Sequence, residues 1–142
     1  MKKVFIKGPI TPQFISDAIE KHQTKHSIGA HNIFLGQVRA DEIKNKTVAA
    51  IDFTCYEGMA NPILEEIREK AFEKFNLTCM HIYHSLGTIK AGEICFFVFV
   101  SAKHSKDVYD ATEFLVNTVK KKVPIFGKEI FEDESHQWKV NQ

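Results

Sequence analysis

Arginine is nearly missing from this chain: of its 19 basic residues only Arg39 and Arg68 are arginines, the rest being lysines. Against 18 acidic residues this leaves a formal net charge of +1, well short of the positive excess usual in nucleic-acid-binding domains. Cysteine is sparse as well. Cys55, Cys79 and Cys95 lie far apart and form no CxxC pair, which argues against a disulfide framework or a zinc site and fits a reducing cytosol. Each falls in a hydrophobic stretch and is expected to act as a small core residue. With only seven glycines and four prolines, neither a linker nor a low-complexity segment stands out. No apolar run approaches the ~20 residues of a membrane span, and no signal peptide opens the chain. The expectation is a soluble, cytoplasmic protein without a membrane partner.

What is present is an ordinary globular composition, 44% hydrophobic and 26% charged over 142 residues. That is one domain's length, 1–142, with enough apolar material for a core. Strands are expected over residues 2–7, 29–38, 48–56, 78–85, 93–101, 125–131 and 137–140, from alternation or short apolar runs. Thr11-Pro12 and Asn61-Pro62 each offer a cap followed by proline, predicting helix starts. Ser105 is the expected cap of a third helix, with Val108, Ala111, Thr112, Leu115, Val116 and Val119 as its apolar stripe. Lys44-Asn45-Lys46 is the expected tip of a hairpin, and Asp133-Glu134-Ser135 of another. The order β-α-β-β-α-β-β-α-β-β predicts an α+β domain with a mainly antiparallel sheet.

Several short segments carry chemistry in one interpretation and simple architecture in another. Phe34-Leu35-Gly36-Gln37-Val38-Arg39 ends a strand with a glycine and an arginine. The glycine permits close approach of a ligand or backbone, and the guanidinium suits a phosphate; a bulge with a surface arginine fits equally. His104-Ser105 follows the most apolar strand and opens a helix, where anions bind, or is a plain cap with a neighbour. Lys120, Lys121 and Lys122 close the third helix and Pro124 stops it. Such lysines complement the helix dipole, yet with Lys128 they make four within nine residues around an apolar insert. His81 and His84, three apart on a strand, face opposite ways. No histidine has metal-ligand spacing, and no metal or cofactor is expected.

Taken in order, FLGQVR (34–39), CYEGM (55–59), HSLGTIKAGE (84–93), VSAKHS (100–105), KKKVPIFGKE (120–129) and Trp138 closely resemble the large, catalytic subunit of molybdopterin synthase. The resemblance runs over nearly the whole chain. It implies an α/β hammerhead-like fold with an added antiparallel β subdomain, and a homodimer within a heterotetramer. It implies a small ubiquitin-like sulfur-carrier partner whose Gly-Gly thiocarboxylate tail enters a pocket. Sulfur would then pass to cyclic pyranopterin monophosphate in molybdenum cofactor biosynthesis, forming the dithiolene of molybdopterin; the activity is that of a sulfurtransferase. The family's substrate-binding positions fall on Gln37, Val38, Arg39, His104, Ser105, Lys120, Gly127, Lys128 and Glu129. Lys120 and Lys128 are the expected catalytic residues, because fixed cations stabilise developing phosphate charge and an amine can shuttle protons.

The chain departs from the family pattern at Phe126-Gly127-Lys128, where a tryptophan and two basic residues are usual. The expectation is that Lys128 swings into the place vacated at Gly127. Ser85 and Ser105 likewise stand where the family has arginine after histidine. A non-catalytic phospholigand- or RNA-binding module, and an inactive homologue that retains carrier binding, are the competing interpretations.

Overall fold

A computed structural model describes residues 3–139. The first expected strand therefore has Lys2 outside the described residues, and the last has Val140 outside them. Among those described, eight strands and three helices follow the order β1 (Phe5–Lys7), α1 (Pro12–His22), β2 (Ala30–Gln37), β3 (Glu42–Ile43), β4 (Lys46–Cys55), α2 (Glu57–Lys74), β5 (Leu77–Lys90), β6 (Ile94–Ala102), α3 (Ser105–Lys122), β7 (Ile125–Phe131) and β8 (His136–Trp138). The class is α+β. Every strand pairing is antiparallel except that of β1 with β5.

The sheet order is β2-β6-β5-β4-β7-β8, and β5 is its pivot. Sequence patterning ends this strand at residue 85, with Gly87 in the following turn. Instead it runs on to Lys90: residues 77–84 pair with β6, and Gly87 to Lys90 pair with β4. Gly87 has φ +90°, which a side chain resists and glycine does not, so the strand bends there without ending. Beyond this point β5 changes partners, and β4 links it to β7 and β8. At the β3–β4 turn Lys44 and Asn45 both have positive φ, as a two-residue hairpin of this twist requires.

The central strand β6 is buried on both faces. Val98 and Val100 pack toward α2 and α3, joining Met80, Ile82, Leu64, Val108 and Leu115 in the main core. Phe97 and Phe99 turn to the other face, where α1 covers them with Phe14, Ile15, Ala18 and Ile19. Each of these two phenylalanines is fully buried, stabilising the fold by roughly 2–3 kcal/mol.

Two helix starts differ from expectation. In α1, Thr11 Oγ1 accepts from the Phe14 amide at 3.1 Å and Pro12 opens the first turn, as predicted. By contrast α2 begins at Glu57, not at Asn61-Pro62, and Pro62 sits inside it. The proline costs only the hydrogen bond to Gly58, whose backbone is exposed to water near the helix start. In α3 the cap is His104, without a side-chain cap bond, and Ser105 is the first helical residue. No helix among the described residues is long and apolar enough to cross a membrane.

Candidate active site

A cavity of about 770 Å³ opens where the end of β2, the last turn of α3 and the β4–β7–β8 layer converge. Its position follows from local rules. A bulge between Gly36 and Gln37 breaks the β2–β6 ladder, and Gly36 lies so close to β6 that an added Cβ would meet Phe96 Cβ at 2.9 Å. Past the bulge, Val38 is held by its amide to the Glu93 carbonyl at 3.0 Å and its carbonyl to the Gly92 amide at 2.8 Å. Val38 is buried, so its part is to aim its neighbours Gln37 and Arg39. Arg39 is exposed and meets Asp41 at 3.3 Å, a solvent-screened pair that leaves the guanidinium available.

From the other side α3 delivers Lys120 in its last turn, exposed, with its Nζ 5.8 Å from the centroid of the Phe34 ring. Val119 and Val123 flank it on the cavity wall, and the helix stops before Pro124. The floor is supplied by β7. Gly127 and Glu129 face the cavity, and Glu129 is buried, its Oε1 accepting from Gln137 Nε2 at 3.2 Å.

Of the nine positions named from sequence, Gln37, Val38, Arg39, Lys120, Gly127 and Glu129 line this cavity; Lys128, His104 and Ser105 do not. Lys128 alternates with Gly127 and Glu129 along a strand and so points to the opposite face. Gly127 has no positive φ that would reverse the chain and bring Lys128 inward. What glycine provides here is space, since a Cβ at 127 would lie 3.0 Å from Ile51 Cγ2 and 3.3 Å from Phe53 Cε1. The second lysine beside the cavity is instead Lys139, whose amide donates to the Gly127 carbonyl at 2.7 Å. His104 and Ser105 stand at the far end of α3, about 22 Å along its axis from Lys120.

Sequence reasoning also missed two wall residues, His84 and Cys95. His84 is buried between the Phe53 and Phe96 rings, and its Nδ1 donates to the Ser85 carbonyl at 2.8 Å. Burial holds its imidazole down at about 4, so it is neutral at physiological pH with Nε2 as an acceptor. The Cys95 thiol, 3.5 Å from the Gly36 carbonyl, is pushed up to about 11 by burial despite the nearby Lys139 and Lys120. The only signal for either was period-2 alternation on strands whose partners were unknown.

The cleft holds charge of both signs, three cations against the carboxylates of Asp41 and Glu129. Arg39, Lys120 and Lys139 bring positive charge to a partly apolar wall, and a neutral imidazole and a buried carboxylate supply polar contacts. Trp138 lines the cleft and is exposed; Tyr56 and Phe126 are exposed too, Phe126 on the face of β7 shared with Lys128.

Comparison with known proteins places the chain in a lineage. The sequence profile of the family described as MoaE protein matches residues 8–122. A "Molybdopterin synthase catalytic subunit" of Pyrococcus abyssi is 37% identical over 112 residues, covering 79% of this chain and 74% of that protein. The crystal structure of molybdopterin synthase from Staphylococcus aureus superposes with a TM-score of 0.84 at 28% identity, covering 97% of this chain and 96% of that one. The fold is also that of a chain in the complex of subunits 1 and 2 of molybdopterin-converting factor from Helicobacter pylori, with TM-score 0.81, 20% identity and coverage of 95% and 88%. The chain belongs to the MoaE family, the family of molybdopterin synthase catalytic subunits.

Proposed function

We propose that this protein is the sulfur-transferring subunit of a molybdopterin synthase. Its substrates are cyclic pyranopterin monophosphate and the C-terminal thiocarboxylate of a small ubiquitin-like carrier. The observation that carries the reading is Lys120, presented by the last turn of α3 to a cleft that also holds Arg39 and Lys139. Both substrates are anionic, so this field draws them to one place. A cleft of about 770 Å³ suits a pterin-sized ligand.

In the proposed reaction two thiocarboxylates are used in turn. Each sulfur forms a C–S bond to a side-chain carbon of the pterin as a C–O bond there breaks, once with opening of the cyclic phosphate. Water then hydrolyses the carrier's acyl–sulfur bond, leaving the sulfur on the pterin and the carrier as its carboxylate. Arg39 and Lys139 hold the phosphate, and Lys120 offsets the charge that develops and exchanges a proton with the departing oxygen. Gln37 and Glu129 orient the pterin's polar edge. The protein contributes no sulfur: a Cys95 thiol raised to about 11 is a poor nucleophile at neutral pH. The exposed Trp138 on the cleft lining suits the docking of the carrier's tail. The two-subunit assembly of the Helicobacter pylori protein supports such a partner.

His104 and Ser105 enter this scheme only through a second copy of the chain. Standing about 22 Å from Lys120 along α3, they cannot join the cleft of their own chain without unfolding the helix. A homodimer that sets the start of one α3 beside the end of the other would supply them. Lys128, on the outer face of β7, is left for partner or dimer contacts.

The test is direct. Purified protein, thiocarboxylated carrier and cyclic pyranopterin monophosphate should yield the dithiolene product, and Lys120→Ala should abolish conversion while melting as the parent does. An inactive homologue would bind carrier and give no product. Activity within a few-fold of the parent for Lys120→Ala would remove that lysine from catalysis.

A further inference from the structure

Behind the sheet, on the face turned away from the cleft, three side chains that the proposed reaction does not use converge. His22 is the last residue of α1. Cys79 and His81 are two apart on β5 and therefore share a face. The Nε2 atoms of His22 and His81 are 2.8 Å apart, and one ring nitrogen of each histidine and the Cys79 sulfur all lie within 4.8 Å of one another. His22 and Cys79 are buried, and His81 is partly so.

The geometry of His22 goes beyond proximity. Its Nδ1 lies 2.7 Å from the Ala18 carbonyl oxygen, which can only accept, so Nδ1 carries the proton. The Nε2 lone pair is thereby aimed at the meeting point of the other two groups. A backbone carbonyl fixing the tautomer in this way is the usual support of a metal-binding histidine. The ring is further locked between Phe99 and His81, each with its centroid 4.7 Å away. Lys25 Nζ, 2.9 Å from Cys79 Sγ, fixes the sulfur from the outer side. A separate cavity of about 570 Å³ reaches Cys79, His81 and Lys25, so the cluster is open to ions and water.

We propose that His22, Cys79 and His81 form a binding site for a borderline-soft divalent cation, Zn²⁺ by preference. Two imidazoles and one thiolate are ligands of that class. Three protein ligands leave one tetrahedral position, which water from the adjoining cavity fills. Because His22 belongs to α1 and the other two to β5, the ion joins the helix to the sheet across the Phe97–Phe99 layer. Neither this site nor its test depends on the sulfur-transfer reading.

The test uses tag-free, full-length protein freed of metal by chelation, then titrated with Zn²⁺ and separately with Co²⁺. Expected are one saturable equivalent per chain, a rise in melting temperature, and a Co²⁺ spectrum with thiolate-to-metal charge transfer and tetrahedral d–d bands. Cys79→Ser should abolish the charge-transfer band, and His81→Gln should weaken binding by about tenfold or more. Cys55→Ser should change neither. Should either variant fail to fold, the Co²⁺ spectrum of the parent chain decides. An octahedral, water-like spectrum, the lack of a saturable equivalent, or unchanged affinity in folded Cys79→Ser would overturn the site and leave an imidazole pair that is only hydrogen-bonded.

Discussion

His84 and Cys95 sit on neighbouring strands of the cleft wall, and burial holds both uncharged. For Cys95, a thiol at about 11 leaves only about one molecule in ten thousand as thiolate at pH 7. Cys95→Ala should therefore keep sulfur transfer within a few-fold of the parent, measured as dithiolene formed per minute. For His84 the consequence concerns stability. Its folded value of about 4 lies below the ordinary 6.5, so between those values the unfolded chain binds the extra proton. Its contribution is intact above pH 6.5 and is lost as the pH falls toward 4, by about 3 kcal/mol in total. Urea denaturation at pH 7 and pH 4 should show this loss in the parent and a clearly smaller one in His84→Gln.

At the scale of elements, close packing decides which glycines can change. Gly29 leads into β2, and a Cβ there would lie 2.2 Å from the Lys103 backbone oxygen, an atom that cannot rotate away. Gly29→Ala should destabilise by about 1–3 kcal/mol. Gly58 in the first turn of α2 has nothing within 4 Å of such a Cβ, so Gly58→Ala should stabilise by up to about 1 kcal/mol. Thermal melting of the two variants should shift in opposite directions. Local rules of this kind made most elements legible in the sequence: the Thr11-Pro12 cap, the apolar stripe of α3, and the doubly apolar β6. They failed where the signal was non-local. Pro62 marked a helix start because a proline is tolerated within the first turns as well as at the first residue. The two-residue β3 was too short for any period. Gly87 carried a turn signal, yet pairing with β4 kept the strand going.

The site divides along the same line. Gln37, Arg39 and Lys120 belong to segments whose ends could be foreseen, and they meet. Lys139 escaped notice because only the β7–β8 register brings it beside Gly127. The His22–Cys79–His81 group escaped for the same reason, its members being 57 and 59 residues apart along the chain from His22.

On the scale of the whole molecule, the length of α3 makes a quantitative claim about the assembly. If one chain lends His104 to its partner's cleft, Lys120→Ala and His104→Ala are complementary defects. Each variant alone should be nearly inactive. After unfolding and refolding an equimolar mixture, half of the dimers pair the two variants and one cleft in each of these is intact, so about a quarter of parental activity should return. No recovery would place His104 outside the partner's cleft, and full activity of His104→Ala alone would place it outside the chemistry.

The bend of β5 at Gly87 has a consequence for how the molecule breathes. One continuous strand is hydrogen-bonded to β6 over its first half and to β4 over its second, with β1 spliced alongside at His84–Leu86. The two ladders occupy different halves of β5, so either can open while the other stays paired, and Gly87 is the joint between them. The layer that carries the cleft floor is tied to β5 by the short β4 ladder at 87–90, so local opening at that joint uncovers the floor while β5 and β6 stay paired.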